Sequence, residues 1–112
     1  MTKKYHYTIT LEHTQSTGGA DEKICDIPTN RVLIIDSIQW SNPAAASADY
    51  VLKDKFTDTA GSSVEKTIWD RLGVASGESD FENNLKSKKV LGALYSNISQ
   101  AGAKTIINGH FE

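Results

Sequence analysis

The residues that could hold a metal ion are few and far apart. The three histidines of the chain are His6, His13 and His110. No two of them are closer than seven residues, whereas metal sites usually place two ligands at a short fixed spacing with others converging on the ion. Glu78, Asp80 and Glu82 alternate and would share one solvated face of a strand. The sequence therefore predicts no metal site and no cofactor.

The residues also offer no pattern for nucleophilic catalysis. Cys25 is the only cysteine, and a thiol nucleophile needs a base and an orienting group that the sequence does not place beside it. We interpret Cys25 as a half-buried strand residue. The sequence contains no nucleophile elbow, phosphate-binding loop or dinucleotide fingerprint. We therefore predict no catalytic residues and expect that the protein is not an enzyme.

Three aromatic residues could stack on sugar rings if they lie side by side on one sheet face: Trp40, Tyr50 and Trp69. Such a platform is typical of a carbohydrate-binding module. The competing interpretation places the rings in the core, because aromatic side chains on strands bury large areas. The two interpretations differ in one observable, which is whether the rings are exposed in a row.

A small basic cluster, Lys86, Lys88 and Lys89, stands in a chain whose net charge is −2. Lysines often protect exposed strand edges from pairing with other chains, and such a cluster can also contact an acidic neighbouring protein. Tyr5 and Tyr7 alternate on the first predicted strand. We predict that these two tyrosines and three lysines make assembly contacts.

Length and composition limit the remaining possibilities. The 112 residues, with a mass of 12.2 kDa, predict one domain over residues 1–112. Twelve basic and fourteen acidic residues argue against a dedicated nucleic-acid binder. No apolar run approaches the ~20 residues of a membrane span, so no membrane partner is expected. Since no apolar stretch follows the basic start of the chain, we expect folding in a cytoplasm.

The elements that must position these residues are short strands. Residues 5–11 alternate between apolar and polar, and residues 32–35 form a continuous apolar run typical of a strand buried on both faces. Seven to eight short strands, with turn signals every ~8–12 residues, predict an all-β antiparallel sandwich or barrel. Residues 71–80 are predicted to form a long loop. Residues 90–99 fit helical spacing as well, but Gly92, Ser96 and Asn97 favour a strand.

The order of these segments resembles a known class of proteins. Segment 27–38 contains a polar turn that leads into a hydrophobic strand, Ser41–Asn42–Pro43 ends that strand, and strand 51–54 comes next. The chain then closes with residues 94–99, a small glycine turn and residues 105–112. This order is similar to small jelly-roll-like β-sandwich proteins of tailed bacteriophage particles, which decorate the capsid or sit at the neck or tail.

The resemblance implies a single jelly-roll-like antiparallel β-sandwich and a non-enzymatic structural role in the virion. A capsid decoration or cement protein is the first expectation, and a neck or tail component is the alternative. The implied partners are the major capsid protein or other virion proteins, with assembly in the host cytoplasm. Homo-oligomers are expected, and a trimer would suit a local three-fold position of a capsid. A carbohydrate-binding β-sandwich module stays as the alternative outside this class.

Overall fold

The computed structural model describes residues 7–83, 85 and 88–112. These residues form nine strands: β1 (Tyr7–Thr14), β2 (Glu22–Asp26), β3 (Leu33–Ser41), β4 (Ala48–Thr57), β5 (Ser63–Val74), β6 (Ser79–Asn83), β7 (Lys89–Val90), β8 (Ala93–Ile98) and β9 (Lys104–Phe111). The same residues include no helix of the length and apolar character that a membrane crossing requires.

The strands form two antiparallel sheets packed as a sandwich. The first sheet has the order β1-β9-β3-β6, with β7 also pairing with β3, and the second has the order β2-β8-β4-β5. The pairs are nested along the chain: β1 pairs with β9, β2 with β8, β3 with β6 and β7, and β4 with β5. This nesting is the jelly roll, so the predicted fold class is confirmed.

The predicted strand count and one predicted loop need correction. Residues 90–99 are strand, as predicted, but Leu91 and Gly92 divide them into β7 and β8. This division gives nine strands in the described residues, where the sequence predicted seven to eight. The predicted long loop over residues 71–80 is wrong, because β5 continues to Val74 and β6 begins at Ser79. Only a short turn with Gly77 at a positive φ of 81° connects them.

The core lies between the two sheets. It is formed by the inward-facing residues of strands whose side chains alternate between the core and the solvent. Its fully buried aliphatic side chains are Leu33, Ile35, Ile38, Leu52, Val90, Leu94, Ile98 and Ile107. Burial of this kind contributes roughly 25 cal/mol for each Å² of apolar surface removed from water. The core therefore supplies the main force that holds the two sheets together.

A bulge in β5 changes which side chains face the core. Leu52 of β4 lies opposite Trp69, but the next residue, Lys53, lies opposite Thr67, so Ile68 is an extra residue in β5. A bulge places two consecutive residues against one partner. Ile68 and Trp69 are consequently both buried, although strict alternation predicts opposite faces for them.

Candidate functional site

A groove opens at the edge of the sandwich where β5 of the second sheet lies beside β7 of the first. Its volume is about 260 Å³. It is lined by three lysines and five other residues: Lys66, Lys88, Lys89, Asp54, Phe56, Thr67, Ile68 and Leu91. We call this feature the lysine groove. It brings the neighbouring strands β4 and β5 together with the distant segment 88–91.

The apolar part of the lysine groove includes a large side chain that is half-exposed to solvent. Leu91 is 51% exposed and lies in the turn between β7 and β8. Phe56 is half-buried, whereas Ile68 is buried in the wall. A single exposed leucine is common on a protein surface, but Leu91 lines a groove. The groove can therefore accept an apolar side chain of a partner.

Asp54 fixes the turn that carries Leu91. This carboxylate is 1% exposed and accepts hydrogen bonds from the backbone N of Leu91 at 2.8 Å and of Gly92 at 3.0 Å. A Cβ added at Gly92 would lie 2.6 Å from Cβ of Phe56, so a glycine allows the turn to approach β4. Asp54 and Gly92 thus set the position of the apolar part of the groove.

The lysines of the groove differ in their electrostatic partners from Lys23, Lys53 and Lys55, which form ion pairs with carboxylates. In the part of the chain that the structure describes, no ion pair joins Lys66, Lys88 or Lys89 to a carboxylate. The Asp54 carboxylate is already bound to two backbone amides. The groove therefore has an excess of positive charge that an acidic partner can neutralise.

The outer face of the second sheet shows the opposite arrangement. Lys55 Nζ lies 2.8 Å from Asp21 and Lys53 Nζ lies 3.1 Å from the same carboxylate and 2.8 Å from Glu65. The hydrogen bond from Lys55 is the largest reason that the pKa of Asp21 lies well below its usual range. These charges satisfy one another within the chain, so this face offers less unpaired charge to a partner.

A second exposed feature lies on β6, at the edge of the first sheet. Phe81 is 59% exposed and borders a shallow groove of about 420 Å³ with Gln39, Lys104 and Ile106. Asp80, the preceding residue, is exposed and accepts a hydrogen bond from the backbone N of Phe81 at 2.8 Å. Within the described residues, β6 pairs only with β3. An edge strand of this kind is available to another chain.

Glu82 of β6 connects the first sheet to β5 of the second sheet. Its Oε2 atom accepts a hydrogen bond from Trp69 Nε1 at 2.8 Å and lies 3.4 Å from the Arg71 guanidinium. Arg71 in turn lies over the Trp40 ring at 5.0 Å from its centroid. The contacts join β5 to β6 and explain why Glu82, unlike Asp80, is only half-exposed.

The three predicted sugar-stacking residues do not form an exposed row. Trp40 is 6% exposed, Trp69 is 5% exposed and Tyr50 is 1% exposed. The two indole rings pack on each other with centroids 5.3 Å apart, and the Tyr50 hydroxyl donates to the Ser41 carbonyl at 2.7 Å. The platform is therefore corrected to a core cluster, because the inward faces of β3, β4 and β5 bury these rings.

The predicted assembly residues fall into three groups. Lys88 and Lys89 line the lysine groove. Tyr5 and Lys86 lie outside the described residues, and Tyr7 begins β1, where it is paired with Phe111 of β9. The sequence analysis did not predict the rest of the lysine groove or the exposed Phe81.

The described residues include no group of three or more histidine, cysteine or acidic side chains arranged to hold a metal ion. His13 Nε2 lies 3.2 Å from Glu22, whereas His110 contacts Asp36 and Glu112; His6 lies outside the described residues. Cys25 is half-buried in β2, as predicted, and burial raises the pKa of its thiol. A raised pKa disfavours the reactive thiolate.

His110 leads to a prediction on pH dependence. Its Nδ1 lies 2.9 Å from Asp36 and its Nε2 lies 3.0 Å from Glu112, and these bonds, that to Asp36 first, raise the pKa of His110. A raised folded-state pKa stabilises the domain in full below the ordinary histidine value of about 6.5. This contribution is lost as pH rises through the folded-state pKa. Denaturant unfolding measured from below pH ~6.5 to above the folded-state pKa should therefore show a decrease in the free energy of unfolding.

Two variants isolate the histidine in that measurement. Asp36→Asn removes the negative charge that favours the imidazolium, so its free energy of unfolding should fall less steeply with rising pH than that of the wild type. His110→Gln removes the imidazole, so the contribution of this residue to the slope of unfolding free energy against pH should disappear. Identical slopes for the wild type and both variants would contradict the assignment.

Comparisons with known proteins give a likeness in structure alone. No family model matches the chain, and no curated protein matches it. A chain from the crystal structure of the T13 particle of infectious bursal disease virus matches with a TM-score of 0.57 and 9% identity, over 96% of this chain and 30% of that chain. At this identity the match shows a shared fold, that of an all-β sandwich also found in a viral particle.

Two further matches are weaker. A chain of the Gx strain of the same virus has a TM-score of 0.48 and 12% identity, over 96% of this chain and 32% of that chain. The CBM22-1–GH10 modules of Clostridium thermocellum xylanase 10B, complexed with xylohexaose, have a TM-score of 0.46 and 10% identity, over 94% of this chain and 24% of that chain. This chain thus spans less than a third of the length of each of these structures.

Proposed function

We propose that the protein is a non-enzymatic structural component of a virus particle, and that it decorates or cements the head of a tailed bacteriophage. The observation that carries the proposal is the jelly roll itself. Its nested strand pairs run through the described chain, and 96% of the chain aligns with a chain of a viral particle at a TM-score of 0.57. Jelly rolls are a common architecture of viral capsid domains.

The surface of the domain supports a role based on contacts. The lysine groove carries positive charge without carboxylate partners in the described residues, and Leu91 and Phe81 are large exposed apolar side chains. Exposed apolar residues rimmed by polar ones commonly mark interaction sites. We propose the major capsid protein as the partner, with other virion proteins as the alternative if the domain sits at the neck or tail. Neither nucleic acid nor membrane is part of the proposal.

The buried positions of the aromatic rings argue against carbohydrate binding as a second function. The rings that would stack on sugar, Trp40, Tyr50 and Trp69, lie in the core. Stacking on a sugar requires an accessible ring face, so these residues cannot supply the platform without opening the sandwich.

Co-sedimentation tests the proposed role. We expect the purified protein to sediment with empty capsid shells from the particle of the same source and to raise the temperature at which the shells come apart. Lys88→Glu combined with Lys89→Glu should weaken shell binding, because both lysines line the groove and their reversal would disturb the contacts through which the domain assembles. Lys23→Glu is the matched control, since Lys23 lies on β2 at the opposite edge of the sandwich.

Two outcomes would contradict the proposal. A folded wild-type protein that neither sediments with the shells nor changes their stability would exclude a decoration role. Binding to isolated neck or tail assemblies, with no binding to shells, would move the protein to the alternative position on the particle.

A further inference from the structure

The lysine groove and β6 are complementary in charge and in apolar content. The groove offers Lys66, Lys88 and Lys89 around the exposed Leu91. The strand β6 offers Phe81, which is 59% exposed, beside the exposed carboxylate of Asp80. The two surfaces can match at these residues: the lysine groove offers cations without ion pairs in the described residues and an apolar concavity, and β6 offers a carboxylate and an exposed aromatic ring.

Within one copy these two surfaces cannot meet. β6 is held by β3 in a register that places Phe81 opposite Gln39, whereas β7 places Lys89 opposite Ile34 on the same strand. The two positions are five residues apart on β3, and a strand rises about 3.3 Å for each residue, or about 16 Å in all. The groove of one copy is therefore open to β6 of another copy.

We propose that β6 of one copy binds the lysine groove of a second copy of this chain. Phe81 contacts Leu91 and Phe56, and Asp80 lies among the groove lysines. Successive residues of a strand point to opposite sides, so Phe81 and Asp80 lie on opposite faces of β6. When the edge of β6 enters the groove, each of the two side chains faces a different wall of it. The inference names a partner for the groove and rests on the assembly role proposed above.

The geometry limits the assemblies that can form. Because donor and acceptor are different surfaces, head-to-tail use of the contact closes into a ring, such as a trimer, if the rotation between copies closes. Reciprocal use of both surfaces by two copies instead gives a two-fold dimer. The mass of the assembly separates these two forms, and both contain the proposed contact.

Charge reversal on the full chain tests the contact. We expect light scattering and sedimentation to show a discrete oligomer of the wild type whose dissociation increases with salt. Asp80→Lys and Lys89→Glu should each weaken self-association about tenfold, because each replaces an attraction by a repulsion across the contact. The variant carrying both substitutions should recover association, since the reversed charges again face each other between copies.

The far edge of the sandwich offers a matched control. Lys23 and Asp26 of β2 form an ion pair at 3.1 Å. Lys23→Glu, Asp26→Lys and the double variant repeat the same substitutions away from the proposed contact and should leave the oligomer unchanged. Thermal unfolding of every variant shows that the domain is folded, and Phe81→Ser should weaken association without a change of charge.

The outcomes separate this inference from the proposed function. A wild type that stays monomeric at all accessible concentrations yet sediments with shells overturns the self-contact and leaves the structural role intact. An oligomer that does not respond to the reversals at Asp80 and Lys89 also overturns it. An oligomer that dissociates on each reversal, reforms in the double variant and ignores shells supports the self-contact while contradicting the decoration role.

Discussion

Replacing Trp69 by alanine is expected to lower the free energy of unfolding by about 3–5 kcal/mol. The ring is 5% exposed, packs against Trp40 at 5.3 Å between centroids, and donates its Nε1 hydrogen to Glu82. Alanine would leave a cavity between the sheets at the place where β5 and β6 meet. Equilibrium unfolding in denaturant, followed by circular dichroism, measures the loss.

Trp69→Phe and Glu82→Gln separate the packing from the hydrogen bond. Phenylalanine keeps most of the apolar contact, so its loss should be clearly smaller than that of alanine. Glu82→Gln keeps an acceptor oxygen for Trp69 and weakens only the contact with Arg71, so it should cost at most about 1 kcal/mol, as expected for a surface ion pair. A loss below about 1 kcal/mol for Trp69→Ala would place the ring outside the core and would restore the sugar-stacking hypothesis.

Replacing Asp54 by alanine is expected to cost about 2–4 kcal/mol. The substitution removes a buried acceptor and leaves the part-buried backbone amides of Leu91 and Gly92 unpaired, and an unsatisfied buried group costs about 1–3 kcal/mol. The turn between β7 and β8 should also become less ordered. Denaturant unfolding measures the first effect, and faster hydrogen exchange at the Leu91 and Gly92 amides reports the second.

Asp58 offers a matched control for this prediction. Its carboxylate also accepts two backbone hydrogen bonds, from Ala60 and Ser62, but these bonds lie in an exposed turn. Water can replace the lost acceptor there, so Asp58→Ala should cost much less than Asp54→Ala. Equal losses for the two variants would show that Asp54 is not a buried anchor of the groove.

Much of the fold could be predicted from local patterns. The alternation in the first strand follows from the period of two of a strand, the apolar run at residues 32–35 indicates a strand buried on both faces, and both led to an all-β sandwich. The resemblance to phage sandwiches added the jelly-roll-like topology, which the nested pairs confirm. The lysine cluster also pointed to Lys88 and Lys89, which line the groove.

Other features could not be predicted because they depend on pairing across the sheets. The bulge beside Trp69 is set by the register of β5 on β4, and it places both Ile68 and Trp69 in the core. The extension of β5 to Val74 could not be predicted from a local pattern, because its exposed residues do not alternate between apolar and polar. In both cases the partner strand decides the burial of a residue.

The sequence by itself determined the fold class, the scarcity of catalytic and metal-binding patterns and the position of the basic cluster, because these depend on residue type and local period. The tertiary structure alone decided which side chains meet. Asp54 reaches the amides of Leu91 and Gly92 from more than thirty-five residues away, and His110 lies beside Asp36 of another strand. The physical reason is that antiparallel pairing and sandwich closure bring distant segments together, and these long-range contacts create the lysine groove.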